Sequence, residues 1–144
     1  WRFILFAALV DFISDFIPFF WAYITVAGNT GDWELAATPA RTVAFTSIVF
    51  FEFFLSYQCR SETKHIFQLG LEGWTANKLL FISVMIGLIL QMMILYIPSL
   101  NVIFHVVPLT GLQLLVCFLG SLTAFLIIPQ KLIPKRQYVE HRKA

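Results

Sequence analysis

Four long apolar stretches, separated by more polar segments, dominate the pattern of this chain. They cover roughly residues 2–27, 42–59, 79–100 and 110–130. A helix needs about 20 apolar residues to cross the hydrocarbon core of a bilayer, and apolar runs of about this length predict transmembrane helices. We therefore predict an all-α membrane protein, a four-helix transmembrane bundle that forms a single domain over residues 1–144.

The composition agrees with a lipid environment. Hydrophobic residues make up 59% of the chain and charged residues 12%, whereas soluble domains carry about 25% charged residues. The net charge of +2 is too small, and the apolar content too high, to favour nucleic acid as a partner. The expected partner is the lipid bilayer, and the expected location is integral to a membrane, with several spans.

Basic residues predict the orientation of the bundle. Arg41 lies in the polar loop 28–41, and the nine other basic residues share the opposite face of the membrane. They are Arg2, Arg60, Lys64, Lys78, Lys131, Lys135, Arg136, Arg142 and Lys143. Because cytoplasmic loops are enriched in Lys and Arg, we expect both termini, including the basic tail 131–144, to be cytoplasmic.

The first span has features that set it apart from a signal peptide. Pro18 removes a backbone donor within it, so a tilt or kink is expected. Asp11 and Asp15 interrupt what would be the apolar region of a signal peptide. Since the chain also starts with Trp1 and lacks an initiator Met, we expect it to be a piece of a longer polypeptide.

Motifs for catalysis are absent from the sequence. It contains no Gly-rich phosphate loop, no His-Glu-x-x-His pair and no nucleophile elbow. Cys59 and Cys117 are expected near different depths of the bundle, too far apart for a disulfide, and no spaced Cys/His cluster suggests zinc. We predict no catalytic residue and no cofactor in this segment.

Glu52 is the main candidate for a binding residue, since it lies in the middle of the apolar run 42–55. An ionisable side chain at that depth costs roughly 2.5 to 3.5 kcal/mol on insertion scales, so it normally faces a bundle interior or an ion path. Ser56, one helical turn later, adds a hydroxyl to the same face. The chemistry predicted for Glu52 is cation binding. The alternative is a protonated Glu52 that hydrogen-bonds across the bundle and joins helices.

Asp11 and Asp15 are the other ionisable residues within a span. Being four residues apart, they share one helix face, which should point inward or towards water. They could form a polar vestibule or an additional cation or proton site. The alternative has Asp11 near the cytoplasmic interface and Asp15 hydrogen-bonded to neighbouring polar groups.

Small and polar residues elsewhere in the spans predict helix contacts. Gln91, Gln113, Ser121 and Thr123 are expected to bridge helices by hydrogen bonds, and Gly87, Gly111 and Gly120 to allow close helix approach.

Several short motifs, in a fixed order, resemble one family. They are the string Ala40-Arg41-Thr42-Val43-Ala44-Phe45-Thr46, then Glu52, Cys59-Arg60-Ser61-Glu62, Phe67-Gln68-Leu69-Gly70, Asn77-Lys78-Leu79-Leu80, Leu95-Tyr96-Ile97-Pro98, Ile103-Phe104 and Pro108-Leu109-Thr110. This order resembles the C-terminal membrane region of P-type cation-transporting ATPases, closest to the calcium-pump-like branch. The resemblance covers residues 39–134, about two-thirds of the chain.

The resemblance implies a role for each span. The four spans would be helices seven to ten of a ten-helix domain, and Glu52 would contribute oxygen to one transport site, most simply for Ca²⁺. A calcium ion takes six to eight oxygen ligands, so Glu52 alone cannot form the site. In the family the other ligands come from the fourth, fifth and sixth helices, and Mg-ATP is used by cytoplasmic domains. The remaining pump helices and those domains are therefore the implied partners.

Two functions remain open on the sequence. The first is the C-terminal membrane module of a P-type cation pump, which supports the transport helices and contributes one carboxylate. The second is a separated or repurposed four-helix membrane scaffold, or an accessory subunit of a larger complex, without transport activity. A channel or a proton-linked carrier is a weaker third interpretation, because one carboxylate and one Asp pair do not outline a pore.

Overall fold

The computed structural model describes residues 2–59 and 77–127, and within these ranges the protein is helical, without β-strands. The helices are α1 (Arg2–Thr30), α2 (Trp33–Cys59), α3 (Lys78–Tyr96), α4 (Pro98–Phe104) and α5 (Gly111–Ser121), followed by a 3-10 helix at Leu122–Leu126. The basic loop from residue 60, the basic tail 131–144 and the end of the fourth predicted span lie outside the described residues.

Three of these helices are long and apolar enough to cross a membrane. They comprise Ile4–Thr30, Trp33–Cys59 and Lys78–Tyr96, and a shorter apolar helix covers Gly111–Leu126. The prediction of an all-α integral membrane protein is confirmed. The cytoplasmic placement of both termini stays a prediction.

The turn between α1 and α2 is much shorter than the polar loop predicted at 28–41. Gly31 adopts a positive φ of 70°, a conformation that glycine reaches without steric cost. The Asp32 Oδ1 atom then accepts hydrogen bonds from the backbone N–H of Glu34 at 2.8 Å and of Leu35 at 3.1 Å. Since this satisfies two donors at a helix N-terminus, α2 begins at Trp33 rather than near residue 42.

The centre of the fold is the packing of α1 along α2, with α5 against both and α3 against α2. The main buried cluster contains Ala22, Ala40, Val43, Phe50, Leu95, Leu109 and Cys117. A second cluster joins Phe51 to Ala124 and Ile127 near the other end of the bundle. The small side chains on α1 and α2 allow the two long helices to lie close together.

Two of the three glycines expected at helix contacts do lie at such contacts. A Cβ atom on Gly120 would lie 3.1 Å from Pro18 Cγ and 3.3 Å from the Ser14 carbonyl oxygen. A Cβ atom on Gly87 would lie 2.6 Å from Phe53 Cζ. The expectation is wrong for Gly111, where nothing lies within 4 Å of the added atom, because this residue sits in the open first turn of α5.

Polar side chains join the helices at two of the four expected positions. The Gln91 amide Nε2 donates to Thr46 Oγ1 at 3.1 Å, and Ser121 Oγ shares its hydrogen between the Ser47 carbonyl at 3.1 Å and the Cys117 carbonyl of its own helix at 2.6 Å. Gln113 instead caps its own helix with Thr110, and Thr123 donates to the Gly120 carbonyl, one turn earlier in the chain. The bridging prediction is wrong for these two residues, since each finds a nearer backbone partner.

Candidate functional site

Glu52 lies on the face of α2 that points away from the packed helices. Its neighbour Phe51 is fully buried, and the buried side of α2 continues through Ser47 and Val43. Each residue advances a helix by about 100°, so Glu52 projects outside the arc that contacts α1, α3 and α5. The side chain is exposed. Among the described helices, Glu52 therefore faces outward and not into the bundle interior.

The surroundings of Glu52 form an open strip along α2. Ile48, Ser56 and Cys59 are also exposed on this side of the helix, while Phe53 is half-buried. The Ser56 hydroxyl donates to the Glu52 carbonyl oxygen at 2.7 Å, a bond to the preceding turn that Ser commonly makes in helices. Since no hydrogen bond joins the Glu52 carboxylate to another described residue, the alternative of a bond across this bundle is not supported.

Asp11 and Asp15 lie at the edge of the buried face of α1, where both are half-buried. The Oδ1 atom of each is buried and has no hydrogen-bond partner. The alternative in which neighbouring groups hydrogen-bond Asp15 therefore does not hold for this atom. Such unpaired polar atoms are uncommon in folded proteins and each calls for an explanation.

The structure brings Asp15 and Glu52 into electrostatic range of each other. Asp15 lies close enough to Asp11 and Glu52 for these carboxyl groups to repel one another when they are ionised. Asp15 and Glu52 come from different helices that are antiparallel, so this proximity is a product of packing. Asp15 thus has one acidic neighbour on its own helix, Asp11, and one on the next helix, Glu52.

Gln58 is a polar residue that sequence reasoning did not single out. It is only 1% exposed, and neither Nε2 nor Oε1 has a hydrogen-bond partner. The one feature of the sequence that could have indicated Gln58 is its amide side chain near the end of an apolar run. It follows Phe54 on the buried face of α2, one turn later, and so does not share the face of Glu52.

The acidic side chains do not by themselves make a metal site. Within residues 2–59 and 77–127, no three or more His, Cys, Asp or Glu side chains are arranged to hold a metal ion. Cys59 is exposed, Cys117 is buried, and both are free thiols. The described helices provide one outward-facing carboxylate, that of Glu52, with the Asp15 carboxyl group nearby.

The position of α2, and with it the position of Glu52, is held by contacts on its other face. Thr42 Oγ1 accepts a hydrogen bond from the Val107 N–H at 3.2 Å and Thr46 Oγ1 accepts one from Gln91. Cys117 Sγ lies 3.5 Å from the Val43 carbonyl oxygen as a weak donor. Because α3, α5 and the segment before α5 all hold this face of α2, Glu52 projects from a fixed support.

Comparison with known proteins gives the family. The family of "Cation transporting ATPase, C-terminus" matches residues 1–130. The chain is 36% identical over 97 residues to "Calcium-transporting ATPase type 2C member 2" of Mus musculus, which is 67% of this chain and 9% of that relative. It is 33% identical over 105 residues to "Calcium-transporting ATPase 1" of Saccharomyces cerevisiae, which is 73% of this chain and 11% of that relative.

The matched region is a small part of each relative. The chain spans about a tenth of the length of these curated proteins, and the match includes α2 with Glu52, since it reaches residue 130 from residue 1. The helical membrane architecture agrees with a membrane region of such a protein. This chain belongs to the family of C-terminal membrane regions of cation-transporting ATPases.

Proposed function

We propose that this chain is the C-terminal membrane module of a calcium-transporting P-type ATPase, and that Glu52 supplies carboxylate oxygen to the transported ion. The observation that carries the proposal is the outward direction of Glu52 from the described helices. A carboxylate in contact with lipid would cost several kcal/mol, so this face of α2 is expected to meet further polypeptide. The named relatives, of which the chain covers about a tenth, have ample additional chain for this purpose.

The chemistry of the ion limits what Glu52 does. Calcium takes six to eight oxygen ligands at about 2.3–2.6 Å, and one carboxylate supplies at most two. The remaining oxygens would come from membrane helices of the same pump that lie against the Glu52 face. Calcium here is the transported substrate, and Mg-ATP would be used in the cytoplasmic domains of the parent protein.

The described helices act as a support in this proposal. Helices α1, α3 and α5 hold the buried face of α2, so the backbone that carries Glu52 loses little entropy when the ion binds. Movement during transport would then take place mainly in the helices opposite Glu52. Asp11, Asp15 and Ser56 are accessory polar groups in this proposal.

The test compares Glu52→Gln with a matched control, Glu34→Gln, in the full-length pump reconstituted in lipid vesicles. Glu34 is an exposed acid in the first turn of the same helix. Glu52→Gln removes the negative charge at almost constant size, so calcium-dependent ATPase activity should require a several-fold or higher calcium concentration for activation. Glu34→Gln should leave this concentration unchanged.

Two outcomes count against the proposal. If Glu52→Gln and Glu34→Gln give the same calcium activation and the same calcium uptake, Glu52 is not a ligand. If the parent protein shows no cation-dependent ATPase activity with any of the common divalent cations, while its helices remain folded, the scaffold interpretation replaces the pump.

A further inference from the structure

The connection between α3 and α5 is unusual for a loop because it carries no charged residue. Between Lys78 and Lys131 the sequence contains no Asp, Glu, Lys or Arg. The turn between α1 and α2, at the same end of the helices, contains Asp32, and Glu34 follows in the first turn of α2. Loops that face water are usually polar. A connection without Asp, Glu, Lys or Arg therefore indicates a less polar environment.

Polar groups of this connection turn towards the protein. The Asn101 Nδ2 atom donates to the Ile94 carbonyl at 2.6 Å, and the Tyr96 hydroxyl donates to the Leu109 carbonyl at 2.9 Å. The backbone N–H of Val107, in the non-helical part of the connection, donates to Thr42 Oγ1 at 3.2 Å. Backbone groups that water would otherwise have to satisfy are therefore partly paired with protein atoms.

Apolar side chains of the same connection turn outward. Val102 is 74% exposed, Ile103 67% and Phe104 50%. These three consecutive residues form the last turn of α4, and apolar side chains are also exposed at Tyr96 and Ile97 before α4 and at Leu112 in the first turn of α5. Scattered exposed apolar residues are ordinary, but a contiguous apolar surface marks an interaction site.

We propose that α4 is an interfacial helix whose last turn, centred on Ile103, inserts apolar side chains into the adjacent lipid leaflet. Its position follows from continuity, since α3 ends at Tyr96 and α4 begins at Pro98, so α4 starts at the membrane boundary. Interfacial helices bury their apolar face about 5–10 Å into the headgroup and acyl boundary. Tyr96 is of the type that prefers this level of the membrane.

The occupant of this surface is lipid and not water. A deeper location is excluded by residues 106–109, which have no regular secondary structure, since irregular backbone exposed to lipid does not occur within the hydrocarbon core. The proposal concerns a different face of the molecule from Glu52 and does not depend on ion binding there.

The experiment places a small environment-sensitive fluorescent amino acid at Ile103 by amber suppression, in the full-length protein in phosphatidylcholine vesicles. The same residue is placed at Asn29, which is exposed in the last turn of α1 beside the charged connection. Fluorescence is quenched either by a nitroxide lipid labelled near the headgroup or by aqueous iodide. At position 103, quenching by the nitroxide lipid should exceed quenching by iodide several-fold, and at position 29 the order should reverse.

Each other result overturns the proposal. Iodide quenching at position 103 equal to that at position 29 would place α4 in water. Weak quenching by both agents at position 103 would mean that another part of the protein covers this surface. If the probe at Ile103 prevents folding, the same comparison at Val102, the most exposed of the three side chains, decides between these outcomes.

Discussion

Gln91 of α3 donates its side-chain hydrogen bond to Thr46 of α2 at 3.1 Å, in the buried interface between the two helices. Gln91 is 3% exposed and Thr46 is fully buried. Thr46 also donates to the Thr42 carbonyl one turn earlier, at 2.9 Å. The pair thus connects α3 to the helix that bears Glu52, at a level where water is scarce.

Removal of the two partners should have unequal effects. Gln91→Leu removes a bridge worth about 0.6–1 kcal/mol and leaves Thr46 with its own backbone partner. Thr46→Val leaves the Gln91 amide buried without an acceptor, which costs about 1–3 kcal/mol. Thermal unfolding of the full-length protein in detergent should therefore show the larger loss for Thr46→Val. The loss of stability in the double variant should be closer to that of Gln91→Leu than to the sum of the two single losses. Full additivity of the two losses would contradict the coupling between the residues.

Gly120 should be the glycine least tolerant of a side chain. An added Cβ atom would lie 3.1 Å from the ring of Pro18 and 3.3 Å from the Ser14 carbonyl oxygen, and neither a proline ring nor a backbone atom moves easily. Gly120→Val should destabilise the protein by about 1–3 kcal/mol, as expected for overpacking. Ser14 also donates to the Gly120 carbonyl at 2.9 Å, and this bond should weaken as α1 and α5 separate.

Gly111 provides the matched control for Gly120. Nothing lies within 4 Å of a Cβ atom added there, and it belongs to the same helix. Gly111→Ala should be neutral or stabilise by up to about 1 kcal/mol, since alanine favours helix more than glycine does. The same unfolding measurement serves both variants, and equal destabilisation of the two would refute the close contact.

Asp32 should determine where α2 begins. Asp32→Ala removes the acceptor for the N–H groups of Glu34 and Leu35 and should cost about 0.5–2 kcal/mol. Asp32→Ser, which retains a capping oxygen, should restore most of the stability. The rate of amide hydrogen exchange in the first turn of α2 should rise in Asp32→Ala and not in Asp32→Ser. Unchanged exchange there would mean that packing, and not the cap, holds this end.

Asp15 should tune cation binding by charge without contacting the ion. Asp15→Asn removes a carboxyl group that can ionise near Glu52, so the calcium concentration for half-maximal ATPase activity should rise, by a few-fold at most. The effect should be smaller than for Glu52→Gln because it acts through distance and not through a metal–oxygen bond. Asp15→Glu, which keeps the charge, is the control. An effect equal to that of Glu52→Gln would make Asp15 a direct ligand.

Both ends of the chain are predicted to lie in the cytoplasm. A protease site inserted after Lys143 in the full-length protein should be cut in inside-out vesicles and protected in right-side-out vesicles. A site inserted at Gly31, the turn between α1 and α2, should behave in the opposite way. Cleavage of both sites from the same side would overturn the orientation predicted from the basic residues.

The sequence by itself determined that this protein lies in a membrane and which ionisable residues are candidates for a site. Apolar runs long enough to cross a bilayer predicted the membrane helices, because the length of a span follows from the helical rise and the membrane thickness. Glu52, Asp11 and Asp15 could be selected because an ionisable side chain within such a run is costly. The family was also readable from short motifs in order, among them the string around Thr42.

Only the tertiary structure decided what each of these residues meets. The periodicity of a uniformly apolar helix does not distinguish its faces, so the outward direction of Glu52 and its proximity to Asp15 required the packing of α1 on α2. The same limit applies to Gly111 and Gly120, which look alike in sequence but differ in what lies beside them. A local pattern specifies the helix, whereas a contact between helices depends on residues far apart in the chain.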